Sequence, residues 1–185
     1  MRVDLILLCF AYVLSQFYRA FLAVLTEVLE RDVGASPEDL ATASGLWFLA
    51  FAAMQIPVGW ALDKVGPRRT ASVLLLIGGG GGAAVFALAS APVHISIAML
   101  LIGVGCSPVL MASYYIFART YPAAVFATLA AVILGVGSVG NLASALPTTL
   151  AVEAFGWRAV VGGTAVVSVL TALGLFFIVR DPEAA

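Results

Sequence analysis

One charged residue interrupts a long apolar segment near the N-terminus, and it carries the clearest chemistry in the sequence. Arg19 is the single charged residue between Leu5 and Thr26. Its guanidinium has five hydrogen-bond donors and can hold a carboxylate or another anion in a planar fork. Three roles are open: contact with an anionic substrate or its pathway, hydrogen bonding between helices, and extension of the side chain toward water. Helical spacing of three or four places Arg19 on a polar stripe with Tyr12, Gln16, Ala23 and Thr26.

Four further polar residues lie in apolar surroundings and are candidates for the same pathway. Each could line a cavity beside Arg19, or form a hydrogen bond between helices, which is typically worth ~0.6 kcal/mol in a membrane. The predicted substrate or pathway residues are Arg19, Gln16, Tyr12, Gln55, Tyr114, Tyr115 and Asn141.

A second group of charges is concentrated in one short string. Within it Gly66 supplies a turn, and Pro67 suits the first position of a following helix. Asp63 can pair with a neighbouring cation, or face the positive N-terminus of a helix. Gly59 permits two helices to approach closely. The simplest alternative is that the arginine pair only anchors the topology. The string reads Gly59-Trp60-Ala61-Leu62-Asp63-Lys64-Val65-Gly66-Pro67-Arg68-Arg69.

The composition excludes a soluble domain. Of the 185 residues, 63% are hydrophobic and only 10% are charged, whereas soluble domains are about 45–50% apolar and about 25% charged. The net charge of −1 gives no reason to expect a nucleic-acid partner. The sequence has no nucleophile–base pair, metal-ligand cluster or phosphate loop, so we expect no enzyme, cofactor or metal site. The chain is predicted to be an integral membrane protein of the lipid bilayer.

The sparse charges also delimit the helices. Twenty-three uncharged residues separate Asp39 from Asp63, and 21 separate Arg158 from Arg180. A hydrocarbon core of ~30 Å needs about 20 helical residues, and continuous apolar runs favour helices over a β-barrel. We predict an all-α membrane protein, a single domain over 1–185. Its six spanning helices, spans 1 to 6, are expected at 4–27, 42–62, 69–90, 93–118, 123–150 and 156–179. The glycine run at 78–82 predicts a close helix neighbour for span 3.

The distribution of Lys and Arg predicts the orientation. With the N-terminus inside, the opposite side carries only Arg31 and Arg158. Both termini are then cytoplasmic. The loop at 27–39, with five acids and one arginine, faces the exterior or periplasm. We expect a multi-pass protein of the plasma membrane, the inner membrane in bacteria. The cytoplasmic cations would be Arg2, Lys64, Arg68, Arg69, Arg119 and Arg180.

The 59–69 string resembles the Gly-x-Leu-Ala-Asp-Arg-x-Gly-Arg-Arg loop between helices 2 and 3 of the major facilitator superfamily. Lys64 replaces the commoner arginine, and the other matching positions are Gly59, Asp63, Gly66, Arg68 and Arg69. The strings at 15–19, 55–59 and 155–158 add supporting similarity. The string at 180–182 is similar to the start of the family's central linker, so 180–185 is expected to be a cytoplasmic tail. The whole chain looks like the N-terminal six-helix half of such a transporter.

The resemblance implies two three-helix repeats and a conformational latch that holds the two halves together in the outward-open state. There are two departures. Many relatives carry an arginine in helix 4, four residues before a glycine, where this chain has Met99 before Gly103. Antiporters often have Gly-Pro in helix 5, whereas this chain has Gly135-Val136-Gly137. Proton coupling and drug antiport are therefore not implied. The latch residues would be Gly59, Asp63, Lys64, Gly66, Arg68 and Arg69.

The leading hypothesis is transport of a small solute across the membrane by alternating access, with an anion or organic acid suggested by Arg19. A six-helix half supplies one wall of the site that lies between two halves. It would act as a homodimer, pair with a separately encoded second half, or come from a truncated or split transporter. The alternative hypothesis is a non-transporting six-helix membrane scaffold or assembly factor with the same fold.

Overall fold

Serine and proline residues determine where several helices begin in the computed structural model, which describes residues 3–182. The Ser36 hydroxyl accepts a hydrogen bond from the Asp39 N–H at 3.1 Å, while the Asp39 carboxylate accepts one from the Ser36 N–H at 2.9 Å. This reciprocal cap fixes the start of span 2. Pro37, Pro67 and Pro92 each occupy the first position of a helix. The φ that the proline ring fixes is suitable for a helix, and an N–H at this position would have no acceptor within the helix.

The described residues form six apolar helices that are long enough to cross a membrane, so the predicted all-α fold with six spans is confirmed. A short helix, Leu146–Phe155, joins span 5 to span 6. Arg2, one of the charges used for orientation, and residues 183–185 of the predicted tail lie outside the described residues. Spans 1 to 6 are Val3–Val33, Pro37–Lys64, Pro67–Ala87, Pro92–Thr120, Ala123–Ser144 and Trp157–Ile178.

Span 1 continues to Val33, so much of the predicted 27–39 loop is helical. The additional turns are amphipathic: Leu29 and Val33 are buried while their charged neighbours are exposed. Burying this apolar side stabilises turns whose charges alone suggested a loop. The helix ends at Gly34, which has a φ of 70° and donates its N–H to the Glu30 carbonyl at 3.1 Å.

A proline breaks the α-helix of span 2. Pro57 has no N–H to donate to the carbonyl four residues earlier. The helix is interrupted at Met54, between the segments Pro37–Ala53 and Gln55–Lys64.

A second proline ends span 5 earlier than predicted. The helix stops at Ser144, and Pro147 lies in the first turn of Leu146–Phe155. A single helix through residue 147 would lose a backbone hydrogen bond and would clash with the preceding turn. The prediction of one helix over 123–150 is therefore wrong.

Span 4 packs against spans 2 and 3, span 1 packs against spans 5 and 6, and span 6 also packs against span 3. A buried hydrogen bond of 2.8 Å joins the Tyr18 hydroxyl of span 1 to the Ser168 hydroxyl of span 6. Near Gly34, the Trp157 indole N–H donates to the Asp32 carboxylate at 3.0 Å. The next residue, Arg158, donates to the carbonyl that ends span 3, at 2.9 Å. Span 6 is thereby held to spans 1 and 3.

Glycines allow three pairs of spans to approach closely. A Cβ added to Gly105 of span 4 would collide with the backbone of Gly78 in span 3. A Cβ on Gly103 would meet the backbone of Trp47 in span 2, and one on Gly140 of span 5 would meet the backbone of span 1. Where span 3 crosses span 4, its backbone forms a π-helix, Leu75–Gly81. The glycine run therefore provides the smooth face that was predicted for a close neighbour.

Gly105→Ala should destabilise the bundle, whereas Gly81→Ala should not. A methyl group at Gly105 overlaps the span 3 backbone, while at Gly81 the nearest atom would lie 4.0 Å away. We expect Gly105→Ala to lower the free energy of unfolding by about 1–3 kcal/mol, the usual cost of overpacking. Circular dichroism during denaturation in detergent measures both variants. Equal stability of the two variants would contradict the close crossing.

Candidate functional site

The polar stripe of span 1 places three candidate side chains one turn apart. The Gln16 Nε2 donates a hydrogen bond to the Tyr12 hydroxyl at 2.5 Å. Arg19 follows near the middle of Val3–Val33. Directly after it the backbone tightens into a 3₁₀ helix, Phe21–Leu25. Such a stretch inside a long helix often marks a hinge or local strain.

These side chains line a cavity between spans 1, 2 and 4, which we call the central cleft. The guanidinium carbon of Arg19 lies 5.4 Å from the centre of the Phe48 ring, within the range of a cation–π interaction. Among the described residues, no carboxylate forms an ion pair with Arg19. The guanidinium is therefore available to an anion. The cleft has a volume of about 280 Å³ and is lined by Tyr12, Ser15, Gln16, Arg19, Trp47, Phe48, Phe51, Cys106 and Leu110.

Span 5 contributes one polar side chain beside this cleft. The Asn141 Nδ2 donates to the Gln16 Oε1 at 3.4 Å, so a chain of hydrogen bonds runs from Asn141 through Gln16 to Tyr12. The structure thus brings together four of the predicted pathway residues, including Arg19. Their contact with a solute stays a prediction.

The other three predicted pathway residues do not line the central cleft. The Gln55 amide donates to the carbonyl four residues earlier, at 2.8 Å, beside the break in span 2. The Tyr114 ring stands edge-on to Phe126 of span 5, with ring centres 5.9 Å apart. The Tyr115 ring lies 4.4 Å from the guanidinium carbon of Arg119, near the end of span 4. Isolated polarity in an apolar run does not reveal which neighbour a side chain will meet.

Sequence reasoning missed the aromatic side of the cleft, formed by Trp47, Phe48 and Phe51 of span 2. Trp47 and Phe51 are stacked with ring centres 5.1 Å apart, and Phe48 stands edge-on to Trp47 at 4.9 Å. Trp47 is only 3% exposed, and its indole N–H has no hydrogen-bond acceptor among the described residues. The four-residue spacing of Trp47 and Phe51 could have placed them on one helix face, but not in the cleft that Arg19 also lines.

A second groove begins at Arg19 and extends toward the Gly34 end of the bundle. It contains Ala23 and Thr26, the remaining members of the polar stripe. Arg19 lines both cavities, so members of the polar stripe lie in the cleft and in this groove. The groove has a volume of about 410 Å³ and is lined by Arg19, Ala20, Leu22, Ala23, Thr26, Pro37, Leu40, Ala41 and Ser44.

At the other end of the bundle, the 59–69 string forms the turn between spans 2 and 3. Gly66 has a φ of 96°, a conformation that favours glycine. A carboxylate from beyond span 6 reaches this turn: the Asp181 Oδ1 accepts the Arg68 backbone N–H at 2.8 Å. The Asp181 Oδ2 lies 3.4 Å from the Arg68 Nε. Asp181 thereby satisfies a free N–H at the start of span 3, where negative charge is favourable.

The aspartate of the motif does not pair with its own cations. Asp63 is exposed, and within residues 3–182 it forms no ion pair with Lys64, Arg68 or Arg69. The partner of Arg68 is instead Asp181, which was absent from the predicted site. The similarity at 180–182 had singled out this residue, but only the fold shows that it meets the turn.

Gly59 of the motif does not make the close contact between helices that was expected, and the charged positions border an open pocket. A Cβ on Gly59 would meet only the Met111 side chain, at 3.9 Å, so the predicted close helix approach is not needed there. Asp63, Arg119 and Asp181 surround a small pocket of about 240 Å³ beside the turn. The turn therefore presents two exposed carboxylates, of which Asp181 is paired with Arg68, and several cations at a single surface.

Comparison with protein families identifies the family of the chain. A family model described as Major Facilitator Superfamily matches residues 8–185. Comparison with curated proteins gives no match. The family model covers nearly the whole chain, and its members are membrane transporters rather than enzymes. The chain, an integral membrane protein with six apolar helices, therefore belongs to the Major Facilitator Superfamily.

Proposed function

We propose that the chain contributes to the transport of a small organic anion, which binds at Arg19 in the central cleft. One observation carries this proposal: Arg19 lies near the middle of span 1, lines the cleft and has no ion-pair partner among the described residues. Placing an arginine at the centre of a bilayer costs about 2.5–3.5 kcal/mol on insertion-based scales. A bound carboxylate would offset this cost in one conformational state.

Alternating access supplies the mechanism that fits this placement. In family transporters the substrate site lies near the bilayer midplane, between two six-helix halves. Arg19 also lines the second groove, so an anion could pass along span 1 from one end of the bundle to the cleft. The 3₁₀ segment that follows Arg19 is a suitable place for a change in the direction of the helix.

A second six-helix unit would complete the site. Spans 2 and 5 bury the smallest parts of their surface within the described bundle, and Leu49, Ile56 and Leu142 are strongly exposed. We propose that a second copy of this chain or a separately encoded half packs against spans 2 and 5 and closes the cleft. Lipid alone would cover these faces if the protein were a scaffold that transports nothing.

The turn between spans 2 and 3 would act as the latch between the two units. Its Lys and Arg residues favour the cytoplasmic side of a plasma membrane, the bacterial inner membrane, with both termini on that side. The Arg68–Asp181 contact ties the start of span 3 to the chain beyond span 6. Asp63 is left exposed, so its carboxylate is available to a helix N-terminus or a cation of the second unit.

Arg19→Lys should reduce the transport of carboxylates by about tenfold or more. Lysine retains the charge but loses the planar fork, and hydrogen bonds to charged groups contribute about 1.5–3 kcal/mol. The measurement is uptake of radiolabelled short carboxylates by proteoliposomes that contain the full chain.

Arg31→Lys is the matched control, since Arg31 also lies on span 1 but is exposed and paired with its neighbour Asp32. It should transport like the unmodified chain. An equal loss for Arg31→Lys and Arg19→Lys would contradict a role for Arg19 in binding. A chain that binds protein partners but accumulates no solute would support the scaffold alternative instead.

Asp63→Asn should shift the transporter toward the state that is open at the turn. Removing the carboxylate weakens the proposed contact with the second unit, so a cysteine placed in the cleft at Leu110 becomes more accessible from that side. The measurement is labelling with a membrane-impermeant maleimide, in a background that lacks Cys9 and Cys106. We expect the labelling rate to rise severalfold.

Glu38→Gln is the control for this experiment, because Glu38 is an exposed acid at the Gly34 end of the bundle. It should leave the labelling rate unchanged. If Asp63→Asn also leaves the rate unchanged while the protein inserts normally, the turn is no latch.

A further inference from the structure

We infer that the central cleft selects a carboxylate attached to a planar aromatic body, with benzoate as the simplest member of the class. This inference rests on the proposed transport of an organic anion and adds to it the shape of the solute. It follows from two kinds of groups that line the cleft: the Arg19 guanidinium, which has no ion-pair partner among the described residues, and several aromatic rings.

The polar groups of the cleft leave donors in excess. The Gln16 amide is already used on both sides, since its nitrogen donates to Tyr12 and its oxygen accepts from Asn141. The Arg19 guanidinium remains without an acceptor among the described residues. The indole N–H of Trp47 also lacks one there, but this nitrogen is enclosed by protein and does not open into the cleft. An ionised carboxylate only accepts hydrogen bonds and can serve several donors at once.

The same excess argues against other small solutes. An ammonium group would be repelled by Arg19. A neutral alcohol or amide would bring one acceptor but not the charge that Arg19 requires, and a buried unsatisfied donor costs about 1–3 kcal/mol. The charge and the hydrogen-bond inventory therefore favour a carboxylate.

The apolar side of the cleft favours a flat body. Trp47 and Phe51 are stacked with an interplanar angle of 13°, and Phe48 stands at 78° to Trp47. The Tyr12 side chain of span 1 also lines the cleft. Aromatic pairs gain energy beyond the area they bury when they stack or meet edge to face. A planar ring can make these contacts, whereas a puckered aliphatic ring of the same size cannot.

The space in the cleft is consistent with one ring and a carboxylate. On this unit alone the cleft has a volume of about 280 Å³, and the second unit would enclose the rest of the site. Phe48 is within cation–π distance of Arg19, so the charged and aromatic parts of the cleft adjoin each other, as they do in an aromatic carboxylate.

The inference predicts an order of affinities for the purified full chain in nanodiscs, measured by isothermal titration calorimetry. Benzoate should bind more tightly than cyclohexanecarboxylate by about threefold to tenfold, because only the flat ring stacks. Benzoate should exceed neutral benzamide by at least tenfold, because only the carboxylate satisfies Arg19. Acetate, which lacks a ring, should bind more weakly than either carboxylate with a ring.

Two matched phenylalanine variants test the role of the aromatic side. Phe51→Leu keeps an apolar side chain in the cleft but removes the flat ring, and it should weaken benzoate binding by about threefold to tenfold. Phe177→Leu makes the same change at an exposed residue that does not line the cleft. It should bind benzoate like the unmodified chain.

The possible results separate this inference from the proposed function. Equal affinities for benzoate and cyclohexanecarboxylate, with both lost in Arg19→Gln, would overturn the aromatic selectivity and leave anion binding intact. Unchanged benzoate binding by Phe51→Leu would overturn the role of the aromatic side. If no carboxylate binds, or benzamide binds as well as benzoate, the inference and the proposed anion site both fail.

Discussion

The structure is organised around the cost of placing an arginine in the middle of a membrane. An uncompensated Arg19 would destabilise span 1 by a few kcal/mol. Within residues 3–182 the fold provides a cleft rather than a paired carboxylate, and the ring of Phe48 lies 5.4 Å from the guanidinium carbon. This contact stabilises the charge but does not neutralise it. A guanidinium that is held in place and left unneutralised is suited to binding an anion reversibly, whereas an ion pair within the chain would compete with the solute.

The rest of the bundle gives this cleft rigid walls. Close backbone contacts at Gly105 and Gly103 hold span 4 against span 3 and span 2, respectively. A similar contact at Gly140 holds span 5 against span 1. Span 6 is held to span 3 at both ends of the bundle, through Arg158 at one end and Asp181 at the other. Such close packing leaves little room for motion between these helices. A unit of this kind would move as a body, which is what rocking-type alternating access requires.

The sequence predicted the features that depend on helical periodicity and on the thickness of the bilayer. Those two constraints give the six spans and the stripe on which Tyr12, Gln16 and Arg19 lie. The helical turns that end at Val33 were missed because their charges suggested a loop, although the apolar side of these turns is buried. Contacts between distant segments had no local signal. The pairing of Arg68 with Asp181 and the placement of Trp47 opposite span 1 depend on how the helices cross. Tyr114 and Tyr115 were assigned to the pathway by polarity alone, and the structure gives them other neighbours.

The central claim is that a positive charge at position 19 binds the solute within the cleft. Chemical restoration of that charge tests it most directly. In a background with Cys9→Ser and Cys106→Ala, the variant Arg19→Cys can be modified with an aminoethyl methanethiosulfonate, which adds an ammonium group, or with the neutral methyl reagent. The account predicts that the ammonium adduct recovers carboxylate binding severalfold over the methyl adduct. Equal binding by the two adducts, or binding by the unmodified Arg19→Cys chain as tight as that of the native chain, would contradict it.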